Sequence, residues 1–275
     1  MVTLDFTKAE ALGNDFIIAE ALSKYSADQL QFLADRKKAI GCDQFISIEA
    51  KQYEDCDFTI RFYNADGSWA GGCGNGSRAI AGYFAASLQK QHLTFAIERP
   101  SGTYDIINAH VTGNHVSLKM PKPRFLAEDI PIHGVNIDPQ NLKLDEIGES
   151  GFCVNVGNPH IVFIVDNAED ISLDILGPKT EHHSYFPNRI NAEWVHIIDR
   201  EHIRMRVWER GAGITAACGT GACASAIAAI TRGLCEEEVC VICDGGEIDI
   251  AYQAGSDQLL MAGPYHISFK GQIVL

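Results

Sequence analysis

The stretch NADGSWAGGCGNGSRAIAG (Asn64–Gly82) sets one cysteine among glycines and then runs into a series of small, helix-compatible residues. A second stretch, ERGAGITAACGTGACASAIA (Glu209–Ala228), does the same. Extended upstream, IRFYNADGSWAGGCGNG and MRVWERGAGITAACGTG align without a gap: Cys218 minus Cys73 is 145, and Glu209 minus Asn64 is also 145. LGNDFII at Leu12 answers VGNPHIVF at Val156, with Asn158 minus Asn14 equal to 144. SGTYDI at Ser101 answers GGEIDI at Gly245, again a shift of 144. Four ordered anchors at nearly one offset read as two copies of one domain, expected to face each other across a shared cleft.

Between the anchors lie short segments with strand patterning: CDFTIRFY, HLTFAIE, HVSLKM, HIVFIV, EWVHII, HIRMRVW, EVCVIC, EIDIAY and YHISF. Helical patterning follows each glycine-rich loop, in SRAIAGYFAASLQK and ACASAIAAITRG, and recurs in SADQLQFLADRKK, where Ser26 is positioned to cap. Many strands with few helices predict an α+β fold. Three prolines in KMPKPRFLAEDIP mark the boundary, giving one domain of residues 1–120 plus 263–275 and another of 121–262. In that division the tail GPYHISFKGQIVL returns to the first domain as an added strand.

The chain has 275 residues, 46% hydrophobic and 21% charged, enough for one large or two modest globular cores. It contains no apolar run of about 18 residues, the minimum for a membrane-spanning helix, and MVTLDFTKAE lacks the pattern of a secretory signal. The net charge of −14 repels a phosphate backbone, so nucleic acid is not an expected partner. The acidic clusters AEDISLD and CEEEV read as solvated faces. Nine cysteines, an odd number without an export signal, predict free thiols in a reducing cytoplasm. CVIC (Cys240, Cys243) has zinc-like spacing, but it sits in a strand-like run without a second pair, so no metal site is expected.

Cys73 and Cys218 each precede Gly-X-Gly at the start of a predicted helix. The first N–H groups of a helix have no intrahelical acceptor and carry a partial positive charge, so they attract anions and lower the pKa of a cysteine held there. Two such cysteines on opposite sides of one substrate carbon supply a base and an acid. One removes the α-proton, the other delivers a proton to the opposite face, and the stereocentre inverts. A substrate carboxylate bound by helix-terminal N–H groups takes up the developing negative charge. Neither metal nor pyridoxal is needed for that chemistry. Both loops also satisfy a loose G-x-G-x-x-A pattern, but a dinucleotide site wants its glycines directly after a strand, and here a loop intervenes.

NADGSWAGGCGNGSR, with LGNDF, GCDQ, GNPH, ERGAG and ACGTGACAS following the same order along the chain, resembles the diaminopimelate epimerase family over essentially its whole length. The resemblance implies two pseudo-symmetric α+β domains, each a barrel-like, antiparallel-rich sheet around a central helix. It implies a cofactor-free, cytoplasmic enzyme, commonly a homodimer, acting on a small molecule: conversion of LL- to meso-diaminopimelate for lysine and peptidoglycan synthesis. Carried over by motif, Cys73 and Cys218 form the acid/base pair, with His160 and Glu209 beside them tuning their protonation. Gly74 with Asn75, and Gly219 with Thr220, offer backbone N–H groups to the reacting carboxylate. Asn14, Gln44, Asn64, Asn158, Asn191, Glu209 and Arg210 complete the substrate-binding set. Ile214 departs from the family pattern, where glutamate is usual, and Phe269 stands where tyrosine is frequent. The competing readings are a two-cysteine racemase of a single amino acid (proline, hydroxyproline, histidine or glutamate) and a broadened enzyme doing both.

Overall fold

A computed structural model describes residues 3–134, 137–145, 147–256 and 258–275. Residues up to Leu118 form one unit with Gly263–Leu275, and Lys119–Ala262 form a second. The first unit runs β1 (Thr3–Ala11), β2 (Asn14–Glu20), α1 (Ala27–Ala34), β3 (Gln44–Glu49), β4 (Phe58–Asn64), β5 (Trp69–Ala70), α2 (Gly74–Leu88), β6 (His92–Glu98), β7 (Tyr104–Thr112) and β8 (His115–Lys119). The second runs β9 (Leu142–Lys143), β10 (Ser150–Asn155), β11 (Pro159–Ile164), α3 (Leu173–Glu181), β12 (Asn191–Ile197), β13 (His202–Glu209), β14 (Gly213–Ile214), α4 (Gly219–Thr231), β15 (Glu238–Cys243), β16 (Gly246–Gln253) and β17 (Gln258–Pro264). The last strand, β18 (His266–Val274), pairs antiparallel with β1.

Both units use one pairing scheme. In the first, β1 is antiparallel to β2, β2 parallel to β3, β3 antiparallel to β4, β4 parallel to β6 and β6 antiparallel to β7. In the second, β10, β11, β12, β13, β15 and β16 repeat those relations in the same order. The α+β class and the internal repeat expected from the sequence are both present.

Each sheet encloses the helix that follows its glycine-rich loop. α2 packs on β1, β2, β6, β7 and β18, while α4 packs on β10 to β13, β15 and β16. Such a helix has no solvent face over its first turns, which explains its composition: Asn75 to Gly82 of α2 and Gly221 to Ala229 of α4 are buried throughout. A Cβ at Gly82 would overlap the Tyr265 ring. Strand alternation sends successive side chains to opposite faces. Ile17, Ala19 and Phe45 therefore form an outer core with Leu30 and Leu33 of α1, while Phe16 meets the α2 backbone at Gly76. In the second unit Ile161, Phe163, Ala192 and Trp194 form the outer core with Leu173 of α3.

Ser26 caps α1 through a reciprocal capping box with Gln29, as its sequence predicts. Seven of the nine cysteines are buried, and Cys73 and Cys240 are partly so. Among the described residues no helix is long and apolar enough to cross a membrane.

The turn from β1 into β2 is tied to the segment before β3 by charge. Asp15 pairs with Lys8 and Arg36, at 2.6 Å each, and Arg36 also reaches Asp43 at 2.7 Å. The two aspartates exchange bonds: Asp15 N–H donates to Asp43 Oδ2 at 3.0 Å, and Asp43 N–H donates to Asp15 Oδ1 at 2.9 Å. Partial burial pushes the Asp15 carboxyl up, but hydrogen bonds from Arg36 and Lys8 outweigh it and hold the group well below the usual carboxylate range. A folded-state pKa below the unfolded value of about 3.9 gives stabilisation that is present above about pH 4 and is lost as pH falls through that region. Asp15→Asn is expected to lower the unfolding free energy by about 2 kcal/mol at neutral pH. Urea denaturation should show that difference narrowing in acid.

Candidate active site

The residues singled out in the first unit gather at one end of its sheet. Asn14 opens β2, Gln44 opens β3 and Asn64 closes β4. Gln44 and Asn64 are register partners, and Gln44 Nε2 donates to Asn64 Oδ1 at 3.0 Å. Asn64 Nδ2 in turn donates to Ser68 Oγ at 3.0 Å, fixing the tight turn into β5. Cys73 is the N-cap of α2, in an extended conformation (φ −152°, ψ 121°), and its Sγ accepts the Gly76 N–H at 3.4 Å. The regular helix bond begins with Ser77 N–H to the Cys73 carbonyl at 2.8 Å. Helix geometry therefore leaves the N–H groups of Gly74 and Asn75 without an intrahelical acceptor. The Asn75 side chain donates to Asn14 Oδ1 at 2.6 Å and accepts from the buried Arg78 at 2.8 Å, joining the helix start to β2.

The second unit repeats the arrangement. Cys218 is the N-cap of α4 (φ −123°, ψ 112°), and its Sγ accepts the Gly221 N–H at 3.3 Å. Thr220 Oγ1 lies 3.5 Å from the same sulfur. Ala222 N–H begins the helix on the Cys218 carbonyl at 2.8 Å, leaving the N–H groups of Gly219 and Thr220 without intrahelical acceptors. A Cβ at Gly221 would lie 2.8 Å from Glu193 Oε1 and 3.3 Å from the Cys218 sulfur. Only glycine allows that approach.

Glu209 and Glu193 act on the Cys218 sulfur, and Asn158, His160, Asn191 and Arg210 of the same unit are joined to one another by hydrogen bonds and strand register. His160 and Asn191 are register partners on β11 and β12. Asn191 donates to the Pro159 carbonyl at 2.8 Å and accepts the Arg210 N–H at 3.0 Å, so its amide fixes the backbone that carries Arg210. Glu209 closes β13 and accepts from Thr215 Oγ1. Arg210 is exposed and has no ion-pair partner among the described residues; its guanidinium donates only to the Asn188 carbonyl, at 3.2 Å.

The two cysteines differ. Cys73 is half-buried, whereas Cys218 is 7% exposed. Burial, reinforced by the Glu209 and Glu193 carboxylates, pushes the Cys218 thiol well above its ordinary pKa of about 9, against the opposing hydrogen bonds from Thr220 and Gly221. A lowered value, expected from the helix terminus alone, is not what this pocket gives Cys218. Desolvation, with Glu209 and Glu193 close by, outweighs the helix end.

Sequence reasoning passed over three carboxylates. Glu193, fully buried on β12, lies 2.7 Å from His160 Nδ1. Glu181 on α3, also buried, accepts from Trp208 Nε1 at 2.7 Å and from Gly211 N–H at 2.9 Å, anchoring the turn that bears Arg210. Asp15 anchors the segment between Asn14 and Gln44. Glu193 alone left a readable trace: it stands two residues after Asn191, on the same strand face.

The family model described as diaminopimelate epimerase matches residues 6–126 and 152–267. The diaminopimelate epimerase of Nitrosospira multiformis is 40% identical over 99% of each chain. That of Pseudomonas savastanoi pv. phaseolicola is 36% identical, again over 99% of each chain. Among solved structures, a phenazine biosynthesis protein of the PhzF family from Bacillus anthracis superposes with a TM-score of 0.68 at 16% identity, covering 100% of both chains. A probable proline racemase from Agrobacterium radiobacter gives 0.64 at 14% identity, over 99% of this chain and 93% of that one. At such identities the structural neighbours speak for the fold alone. The full-length sequence relatives and the family model reach further, and together with the repeated cysteine-capped helices they establish that this chain belongs to the diaminopimelate epimerase family.

Proposed function

We propose that this chain is a cofactor-independent isomerase that inverts one α-carbon of LL-2,6-diaminopimelate to give the meso form, serving lysine and peptidoglycan synthesis. The observation that carries the reading is the duplicated helix start, a cysteine sulfur at the N-cap followed by two N–H groups without helical acceptors. Cys73 and Cys218 act as the acid/base pair. Cys218, held as the thiol by burial and its two carboxylate neighbours, donates a proton while Cys73 removes one from the other face, and the roles exchange in the reverse direction.

The N–H groups of Gly74 and Asn75, and of Gly219 and Thr220, receive the reacting carboxylate and the charge that develops on it. His160 and Glu209 set the protonation of the sulfurs. Asn14, Gln44, Asn64, Asn158, Asn191, Glu209 and Arg210 orient the rest of the substrate. The Arg210 guanidinium, which donates to the Asn188 carbonyl and has no ion-pair partner among the described residues, suits a second carboxylate, which favours a substrate with two amino-acid heads over a single small amino acid. The protein works in the cytoplasm as a homodimer. β18, whose Phe269 is 52% and Val274 57% exposed, offers apolar surface for that association.

In D₂O and without added cofactor, LL-diaminopimelate should acquire deuterium at its α-carbon, whereas proline, hydroxyproline, histidine and glutamate should exchange at least about tenfold more slowly. Cys73→Ala and Cys218→Ala should each lower turnover by roughly 10²- to 10⁴-fold. Folded, reduced protein that leaves the α-proton unlabelled would reject the assignment.

Alkylation of Cys218 by iodoacetamide, followed by peptide mass spectrometry, should keep accelerating through about pH 9 without a plateau. Glu209→Gln, by removing a like charge, should speed it several-fold at about pH 8. A plateau near neutral pH contradicts the thiol assignment. Sedimentation equilibrium should return twice the 30.0 kDa chain mass.

A further inference from the structure

The internal repeat provides a control for each buried residue. The β2–β3 pair carries Phe16 opposite Gln44, and the β11–β12 pair carries His160 opposite Asn191. Two residues further along the second strand of each pair stand Ile46 and Glu193. Thus Phe16 and Ile46 in one unit occupy the positions of His160 and Glu193 in the other, and all four are fully buried. The surroundings correspond too: the Cβ position of Gly76 meets the Phe16 ring, and that of Gly221 meets Glu193 Oε1. The fold fills this place with two apolar side chains in its first unit. An ionisable pair in the second is therefore not demanded by packing.

The hydrogen bonds of the pair define its protons. Asn158 Oδ1 lies 3.0 Å from His160 Nε2, and Glu193 Oε1 lies 2.7 Å from Nδ1. An amide oxygen only accepts, so Nε2 carries a proton. A second proton must lie between Nδ1 and Oε1, since two lone pairs would otherwise face each other across a buried contact. Whichever atom holds it, the pair is electroneutral with one proton more than a carboxylate beside a neutral imidazole. Glu193 Oε2 is buried without a hydrogen-bond partner among the described residues, a costly state for an ionised carboxylate. Burial pushes the Glu193 carboxyl up, against the lowering influence of His160.

We propose that Glu193 is a positioning residue of this site: it fixes the His160 imidazole through Nδ1, and the two together keep a proton next to the helix start that carries Cys218. The proposal rests on the epimerase reading for its effect on turnover, but not for its effect on the imidazole. The ionisable groups facing the pair are Glu209 on β13, Cys218 at the head of α4 and Cys153 on β10.

Nitrogen-15 spectra of the His160 ring in wild-type protein, Glu193→Gln and Glu193→Asp, without substrate, test the pairing. In wild type at about pH 7.5, Nε2 should be protonated and Nδ1 should share a proton. Glu193→Gln should convert the ring to a single neutral tautomer, and Glu193→Asp should retain the shared proton in part. Identical ring signals in wild type and Glu193→Gln would overturn the proposal whatever the enzyme's substrate.

Where wild type exchanges diaminopimelate, Glu193→Gln should lower kcat by about 100-fold with KM changed less than about threefold. Glu193→Asp should recover part of the loss. An altered ring with unchanged kcat would also overturn the proposal. A wild type that is inert toward diaminopimelate would reject the epimerase reading and leave the ring measurement to decide the pairing.

Discussion

A cysteine sulfur accepting the third N–H of an enclosed helix is the contact from which both halves of the molecule are organised. As an N-cap, cysteine is a poor substitute for serine, threonine or aspartate, because sulfur is a weak acceptor. The choice therefore sacrifices helix stability. It is tolerable because these helices do not depend on their caps: the sheet closes around them and supplies their stability through packing. Enclosure in turn dictates the composition that first draws attention in the sequence. Small residues predominate in the buried face of α4, with Ile227 the one large side chain among them, and at Gly221 a Cβ would crowd Glu193 and Cys218.

Duplication gives each unit the same frame, and divergence gives each a different interior. Asn14 and Asn158 keep the same residue type at matching turns, Gln44 and Asn191 keep an amide at the head of matching strands, and the capping cysteines keep their backbone conformation. Beneath those shared features, one unit is apolar where the other buries a histidine and a glutamate. The two sulfurs consequently sit in different electrostatic surroundings. Cys218 has carboxylates at Glu193 and Glu209 as neighbours, whereas Ile46 and Asn64 stand at the matching places in the first unit. A symmetric frame holding unlike protonation environments suits a reaction that needs an acid and a base at the same moment.

Much of this was legible in the chain. Strand alternation, the two helix starts, the Ser26 cap and the repeat itself follow from local patterns whose physical cause is local. The misses have non-local causes. Glu193 heads the segment EWVHII, where a carboxylate reads as a solvent-facing strand residue; only the closure of the sheet over α4 turns it inward. Helix α3 escaped notice because Pro178 and Gly177 interrupt its pattern. The raised pKa of Cys218 was hidden for a related reason. A helix terminus is visible in sequence, whereas the depth of burial and the distance to two carboxylates are properties of the assembled core.

The pairing of β18 with β1 joins the last strand of the chain to the first. The whole of the second unit lies between the two along the chain, so Thr3–Ala11 gains this partner only after that unit has been synthesised, whereas β2 is available to it at once. The second unit is continuous along the chain and meets no such delay. Until β18 is made, the edge of β1 that takes it lies without that partner and is open to non-native association.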